Sequence, residues 1–201
     1  MRYYGEEALG LIETLGMVPA INGADRMLKA ANVQLISYEN VGSTLVTIMV
    51  KGDVAAVTAA VEAGAVGAAE IGKLTAKNVM PRPIKGVADI VSVYAVDADG
   101  ESGRPRAMGL IETFGIVYLL EAADAMQKTA DVEVIGFENV ASGYVSVLVQ
   151  GDVAACASAV AAGVKAVEKM GASVYSSVVI PTPHPDLVKI TKRYAFENLL
   201  P

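Results

Sequence analysis

The chain has 201 residues, a formal net charge of −6, 53% hydrophobic side chains, 5% aromatics and no Trp. The acidic balance argues against a nucleic-acid partner, which would call for a basic patch, and the few aromatics argue against base stacking. The mean hydropathy of +0.45 comes from Ala and Val spread along the chain. No run of about 18 uninterrupted apolar residues occurs, so a membrane span is not expected. Association with other chains is the simple outlet for so apolar a composition.

Met1 to Glu7 lack the apolar core and small-residue cleavage site of a signal peptide, so a cytosolic location is expected. Leu9 to Leu15 reads as a strand. A helix follows from about Pro19 to Ala31, with Pro tolerated in its first turn. Val18, Ile21, Ala24, Met27, Leu28 and Ala31 form one helix face by 3–4 spacing, and Asn22, Asp25, Arg26 and Lys29 form the opposite, wet face. Val33 to Val41 and Leu45 to Val50 read as two strands around a tight turn at Gly42 and Ser43. Asp53, a favoured N-cap, opens a second helix of Ala, Val and Gly, small enough to approach a sheet closely. A fourth strand, Leu74 to Met80, stops at a Pro-x-Pro.

The same order then returns about 99 residues later, which marks an internal duplication. Ala8 to Gly16 recurs as Ala107 to Gly115, Tyr38-Glu39-Asn40-Val41 as Phe137-Glu138-Asn139-Val140, and Gly52-Asp53-Val54 as Gly151-Asp152-Val153. In the second copy Val117, Leu120, Ala123, Met126 and Ala130 repeat the apolar stripe, and Val174 to Ile180 is the last strand. Each unit is β-α-β-β-α-β, a ferredoxin-like order within the mixed α/β (α+β) class. Residues 1–84 form the first domain, 85–106 a connector and 107–201 the second domain. Val87 to Tyr94 fits a short helix or strand, Asp97 to Gly103 a solvated linker, and Pro185 to Tyr194 a terminal helix.

Little in the chain carries catalytic chemistry. His184 is the only histidine, which excludes a His-based triad or a multi-histidine metal site within one chain. Glu13 and Glu112 occupy equivalent positions in separate domains, so duplication explains them better than acid/base pairing. Asp97, Asp99 and Glu101 hint at a calcium loop, but the ligand spacing fails beyond Gly100. Cys156, the only cysteine, reads as a small buried hydrophobe on a helix. No phosphate-binding glycine loop is present, and neither cofactor nor metal is expected.

The repeated motifs Leu-Gly-Leu-Ile-Glu-Thr-x-Gly, Ala-Asp-x-Met-x-Lys-x-Ala, Glu-Asn-Val-x-Ser, Gly-Asp-Val-Ala-Ala and Pro-x-Pro resemble the bacterial microcompartment domain, over about 80 residues in each unit. The whole chain is similar to tandem-domain shell proteins in the non-permuted order. That resemblance implies a homotrimer with six domains around a pseudo-sixfold axis. It implies tiles that pack edge to edge with other shell proteins around encapsulated enzymes, and a central hole for small polar metabolites. The hole would be lined by Gly42, Ser43 and Thr44 of one domain and by Ala141, Ser142 and Gly143 of the other. Lys29 and Lys128 match a tile-edge lysine. Pro81-Arg82-Pro83-Ile84 keeps the edge arginine of the family and loses its histidine, whereas Pro181-Thr182-Pro183-His184 does the reverse. Neither turn carries the cysteine that holds an iron–sulfur cluster in some tandem members. A metabolite-sensing trimer and a cleft enzyme on the same fold are the competing readings.

Overall fold

A computed structural model describes residues 3, 5, 7–93 and 105–195. The first unit runs β1 (Ala8–Leu15), α1 (Met17–Ala30), β2 (Gln34–Gly42), β3 (Leu45–Gly52), α2 (Val54–Ile71) and β4 (Lys73–Met80), followed by α3 (Lys85–Val93). The second runs β5 (Ala107–Phe114), α4 (Ile116–Thr129), β6 (Val132–Ala141), β7 (Tyr144–Gly151), α5 (Val153–Lys169) and β8 (Ser176–Ile180). Each makes a 4-stranded antiparallel sheet, ordered β2-β3-β1-β4 and β6-β7-β5-β8. The mixed α/β class and the β-α-β-β-α-β order are those read from the sequence. The segment 85–93 is helical. The tail comprises one α-turn, α6 (Val188–Thr191), between two 3-10 turns at Pro185–Leu187 and Lys192–Tyr194. The linker Asp97 to Gly103, with its acidic trio, lies outside the described residues.

Strand alternation sends Ile12 of β1 and Val46, Ile48 and Val50 of β3 into one core with Val57, Ala60 and Val61 of α2. Gly10 lets that helix lie on the sheet, because a Cβ there would come within 2.6 Å of Val57 and 2.7 Å of Val61. Gly109 does the same beneath Val160 of α5. By length and composition α2, with hydropathy 1.5 over 18 residues, could cross a bilayer; its buried face (Val57, Ala60, Val61, Gly64, Ala65, Ala68) packs within the protein as a core helix does.

Two details of α1 differ from the expected helix. It begins at Met17, so Pro19 sits inside the first turn, where a missing N–H costs nothing. Asn22 and Asp25 are also buried rather than wet. The Asn22 amide donates to Gly67 O (2.7 Å), and Asp25 Oδ1 accepts from the His184 backbone N–H (2.8 Å), which belongs to the second domain. The second domain covers Asp25, whereas Asn22 is buried against α2 of its own domain. In α4 the expected stripe is out of phase. Leu119, Ala122 and Met126 are buried, whereas Val117 and Leu120 are exposed. The last strand begins at Ser176 rather than Val174.

Candidate functional site

The motif Ile-Glu-Thr-x-Gly, present in both units, builds a corner between strand and helix. The Thr14 hydroxyl donates to Gly16 O (2.9 Å) and the Thr113 hydroxyl to Gly115 O (3.0 Å), pinning the turn that each glycine makes at φ 98° and 100°. The glutamate before each Thr points to the opposite face of the sheet from the isoleucine.

In the second domain Glu112 is fully buried at the seam between the domains. Met17 N–H donates to Glu112 Oε1 (3.0 Å), Val18 N–H to Oε2 (3.4 Å) and the Ser176 hydroxyl to Oε2 (3.0 Å). The carboxyl thus receives the orphan N–H groups at the start of α1, where the helix dipole favours negative charge. Burial pushes its pKa up, and these hydrogen bonds pull against that shift. A Cβ on Gly16 would lie 2.5 Å from Glu112 Oε2, so glycine alone permits this approach. Around it the domains interlock. Tyr175 OH donates to Leu15 O (3.4 Å), Arg193 Nη1 to Tyr38 O (2.9 Å) and Asn40 Nδ2 to Glu138 Oε1 (3.3 Å). One apolar core runs through the seam, joining Met17, Val18 and Ile21 to Met108, Leu110, Ile180 and Leu187.

Each surface in this contact has a copy in the other domain, and both copies are open. Glu13, the counterpart of Glu112, accepts from the Thr47 hydroxyl at Oε2 (3.2 Å) and the Thr75 hydroxyl at Oε1 (2.9 Å). It lines a cleft of about 160 Å³ with Leu11, Ala76, Lys77, Asn78 and Met80. The counterpart of the start of α1 is the start of α4. There Phe114, Ile116, Val117 and Leu120 are 50 to 65% exposed, whereas Met17, Val18 and Ile21 are 0% exposed. The sequence marks this site only by the recurrence of Glu, Gly and the apolar residues that follow.

The β2–β3 and β6–β7 turns are two-residue hairpins. Ser43 and Thr44 have φ of 50° and 69°, Ser142 and Gly143 of 52° and 86°, the positive values that such a turn demands. Gly42 and Ala141 also have positive φ, at 89° and 72°. Asn40 Oδ1 and Asn139 Oδ1 accept the Gly42 and Ala141 N–H groups (both 3.1 Å) and set each turn. The turns lie side by side, for Thr44 Oγ1 donates to Ala141 O (3.3 Å). Ser43, Ser142 and Gly143 are exposed, Gly42 and Ala141 are half-buried, and Thr44 is buried in the seam.

Of the four residues expected at an edge, two meet and two stand apart. Lys29 pairs with Asp25, the carboxylate that also accepts the His184 N–H, so Lys29 and His184 meet in one cluster at the seam. Lys128 pairs with Asp124 and is exposed, as is Arg82. Cys156 is fully buried, donates to Ala107 O (3.3 Å) and has its pKa raised by burial. Among the described residues no three His, Cys, Asp or Glu side chains are placed to hold a metal.

Duplicated α/β domains, docked through a contact whose two surfaces each recur once more in the chain, define the class: a tandem-domain α/β protein. The chain belongs to the bacterial microcompartment domain family, whose domain matches residues 8–83 and 107–183. It is 37% identical over 189 residues to the carboxysome assembly protein CcmO of Synechocystis sp., a match covering 90% of this chain and 63% of that protein. It is 51% identical over 86 residues to the microcompartment shell protein PduA of Citrobacter freundii, covering 43% of this chain and 92% of that one. To the shell protein EutM of Escherichia coli it is 46% identical over 98 residues, covering 49% and 98%. Among solved structures, a microcompartment protein from Desulfitobacterium hafniense aligns over 90% of this chain and 97% of its own at 34% identity, with a TM-score of 0.40.

Proposed function

We propose that three copies of this chain close into a ring of six domains that serves as a structural tile of a bacterial microcompartment shell. The observation that carries this reading is the open second copy of the interdomain contact. The exposed start of α4 corresponds to the buried start of α1, and the Glu13 cleft corresponds to the seat of Glu112. Such a contact joins unlike surfaces, so it closes into a ring or runs on as a filament. The tandem order within the family favours the ring. In it Glu13 of one chain receives the Ile116 and Val117 N–H groups of the next.

The ring gathers the hairpin turns at its axis. The hydrogen bond from Thr44 to Ala141 already sets two of them side by side, and threefold repetition surrounds the axis with six. Gly42, Ser43, Thr44, Ala141, Ser142 and Gly143 form that rim, with Ser43 and Ser142 foremost. Hydroxyls and backbone N–H groups exchange hydrogen bonds with a small polar metabolite and place no fixed charge in its path.

The tile's outer edges are of two kinds. One has Lys29 beside His184 of the same chain. The other has Lys128 beside Arg82 of the next chain, because Ile84 stands where His184 stands. Neighbouring shell proteins dock along these edges, and the enclosed enzymes belong to other chains. The protein works in the cytoplasm, within the shell, and its role is structural rather than catalytic.

Electron microscopy of the purified protein tests this. Hexagonal discs with a central hole, packed into flat sheets, are expected. Closed particles that form no sheets at any concentration would return the metabolite-sensing reading to the front.

A further inference from the structure

The hairpin turn of the first domain is tied to the second domain at two points. Thr44 Oγ1 donates to Ala141 O (3.3 Å). Asn40 makes the other tie, and its amide serves two partners. Its Nδ2 donates to Glu138 Oε1 (3.3 Å), and its Oδ1 accepts the Gly42 N–H (3.1 Å). A carboxylate only accepts and a backbone N–H only donates, so both partners fix the same orientation of the amide. One side chain thus links the Glu138 carboxyl on β6 to the start of the β2–β3 turn. That turn needs local support. Gly42, Ser43 and Thr44 have φ of 89°, 50° and 69° in succession, and two of the three carry a Cβ, for which this region is costly.

Glu138 is half-buried at the seam. The tail brings Arg193 and Tyr194 to it, and β2 brings Tyr38 and Asn40. Two further carboxyls act at one remove, Glu39 on Tyr194 and Glu112 on Tyr38. Burial raises the Glu138 pKa to about 7, against the pull of the Asn40 hydrogen bond and the Arg193 charge. The sign of the coupling follows by linkage. A hydrogen bond that favours the ionised carboxyl is itself strengthened when the carboxyl ionises. Donation to a charged acceptor also polarises the amide, which makes Oδ1 a better acceptor for Gly42.

We propose that Glu138 is a positioning residue for the β2–β3 turn, holding it through Asn40 more firmly as the carboxylate than as the acid. The turn is then firm above neutral pH and loosened below it. The link lies within one chain and does not need the ring. Only its consequence, that Ser43 on this turn borders a metabolite path, rests on the ring of six domains proposed above.

Nuclear magnetic resonance of the full-length protein in solution reads both ends of the link. The Glu138 carboxyl carbon reports ionisation, with an expected midpoint of about 7. Hydrogen exchange at the Gly42 amide, corrected for its intrinsic dependence on pH, reports the turn. Its protection should rise about threefold or more as Glu138 ionises. Glu138→Gln, which keeps the size and an acceptor oxygen, should abolish that rise. Asn40→Ala should abolish it too, and should also move the Glu138 midpoint upward, because the bond that lowers it is gone. Constant Gly42 protection while Glu138 titrates, a rise that persists in either variant, an unmoved midpoint in Asn40→Ala, or a Glu138 midpoint at the ordinary 4.5 would each overturn the proposal. The native mass of the same sample tests the ring separately: a single chain that shows the coupling would remove the ring and keep the link.

Discussion

Glu138 sits on β6 where the two domains meet, held by Asn40 Nδ2 across the seam and within the field of Arg193. Burial outweighs both and pushes its pKa from an ordinary 4.5 up to about 7. Between these values the folded protein keeps a proton that the unfolded chain releases. The contribution of this group to stability is therefore fully present below about 4.5 and is lost as the pH rises to about 7. Urea unfolding across that range should show a midpoint that falls with rising pH, and Glu138→Gln should flatten the fall. A mutant profile as steep as the wild type would place the titration elsewhere. Single residues were unevenly legible in the sequence. Cys156 reads correctly as a buried hydrophobe because alanines flank it on both sides in an Ala- and Val-rich helix. Glu13 and Glu112 read as mere products of duplication. Their work appears only when α1 of one domain is set against β5 of the other, a contact that no local spacing encodes. Asp25 reads as solvated for the same reason.

The secondary elements follow local rules closely, and departures come from what covers them. Asp53 and Asp152 both stand before their helices as the sequence suggests. The Asp53 carboxylate accepts the Ala56 N–H (2.8 Å), whereas Asp152 makes no such bond to its helix. Asp53→Ala should cost about 1 kcal/mol in a denaturant titration, the usual loss for such a cap, and Asp152→Ala clearly less. Equal losses would show that the two helix starts are equivalent in solution. The misplaced stripe of α4 is instructive as well. This helix carries two apolar faces, one on its own sheet (Leu119, Ala122, Met126) and one left exposed (Ile116, Val117, Leu120). A single period of 3–4 cannot tell them apart. In α1 both faces are buried, so the same ambiguity is harmless there.

At the scale of the molecule, the duplication, the strand and helix order and the family were all legible, since repeated motifs survive wherever the backbone geometry they encode is shared. The way the domains pair was not legible, because it rests on the Glu112 seat, the tail across Tyr38 and the seam through the core. In a chain of mean hydropathy +0.45, Val117 and Leu120 stay exposed where their counterparts Val18 and Ile21 are buried at the seam; in the proposed ring they are half of the interface between chains. The native mass of the wild-type protein beside Val117→Asp, measured by analytical ultracentrifugation, tests this most directly. A wild-type particle of about 62 kDa, three times the 20.8 kDa chain, is expected, with a Val117→Asp variant that keeps its secondary structure but sediments as a single chain. A wild-type monomer, or a trimer that survives the charge at position 117, would contradict it.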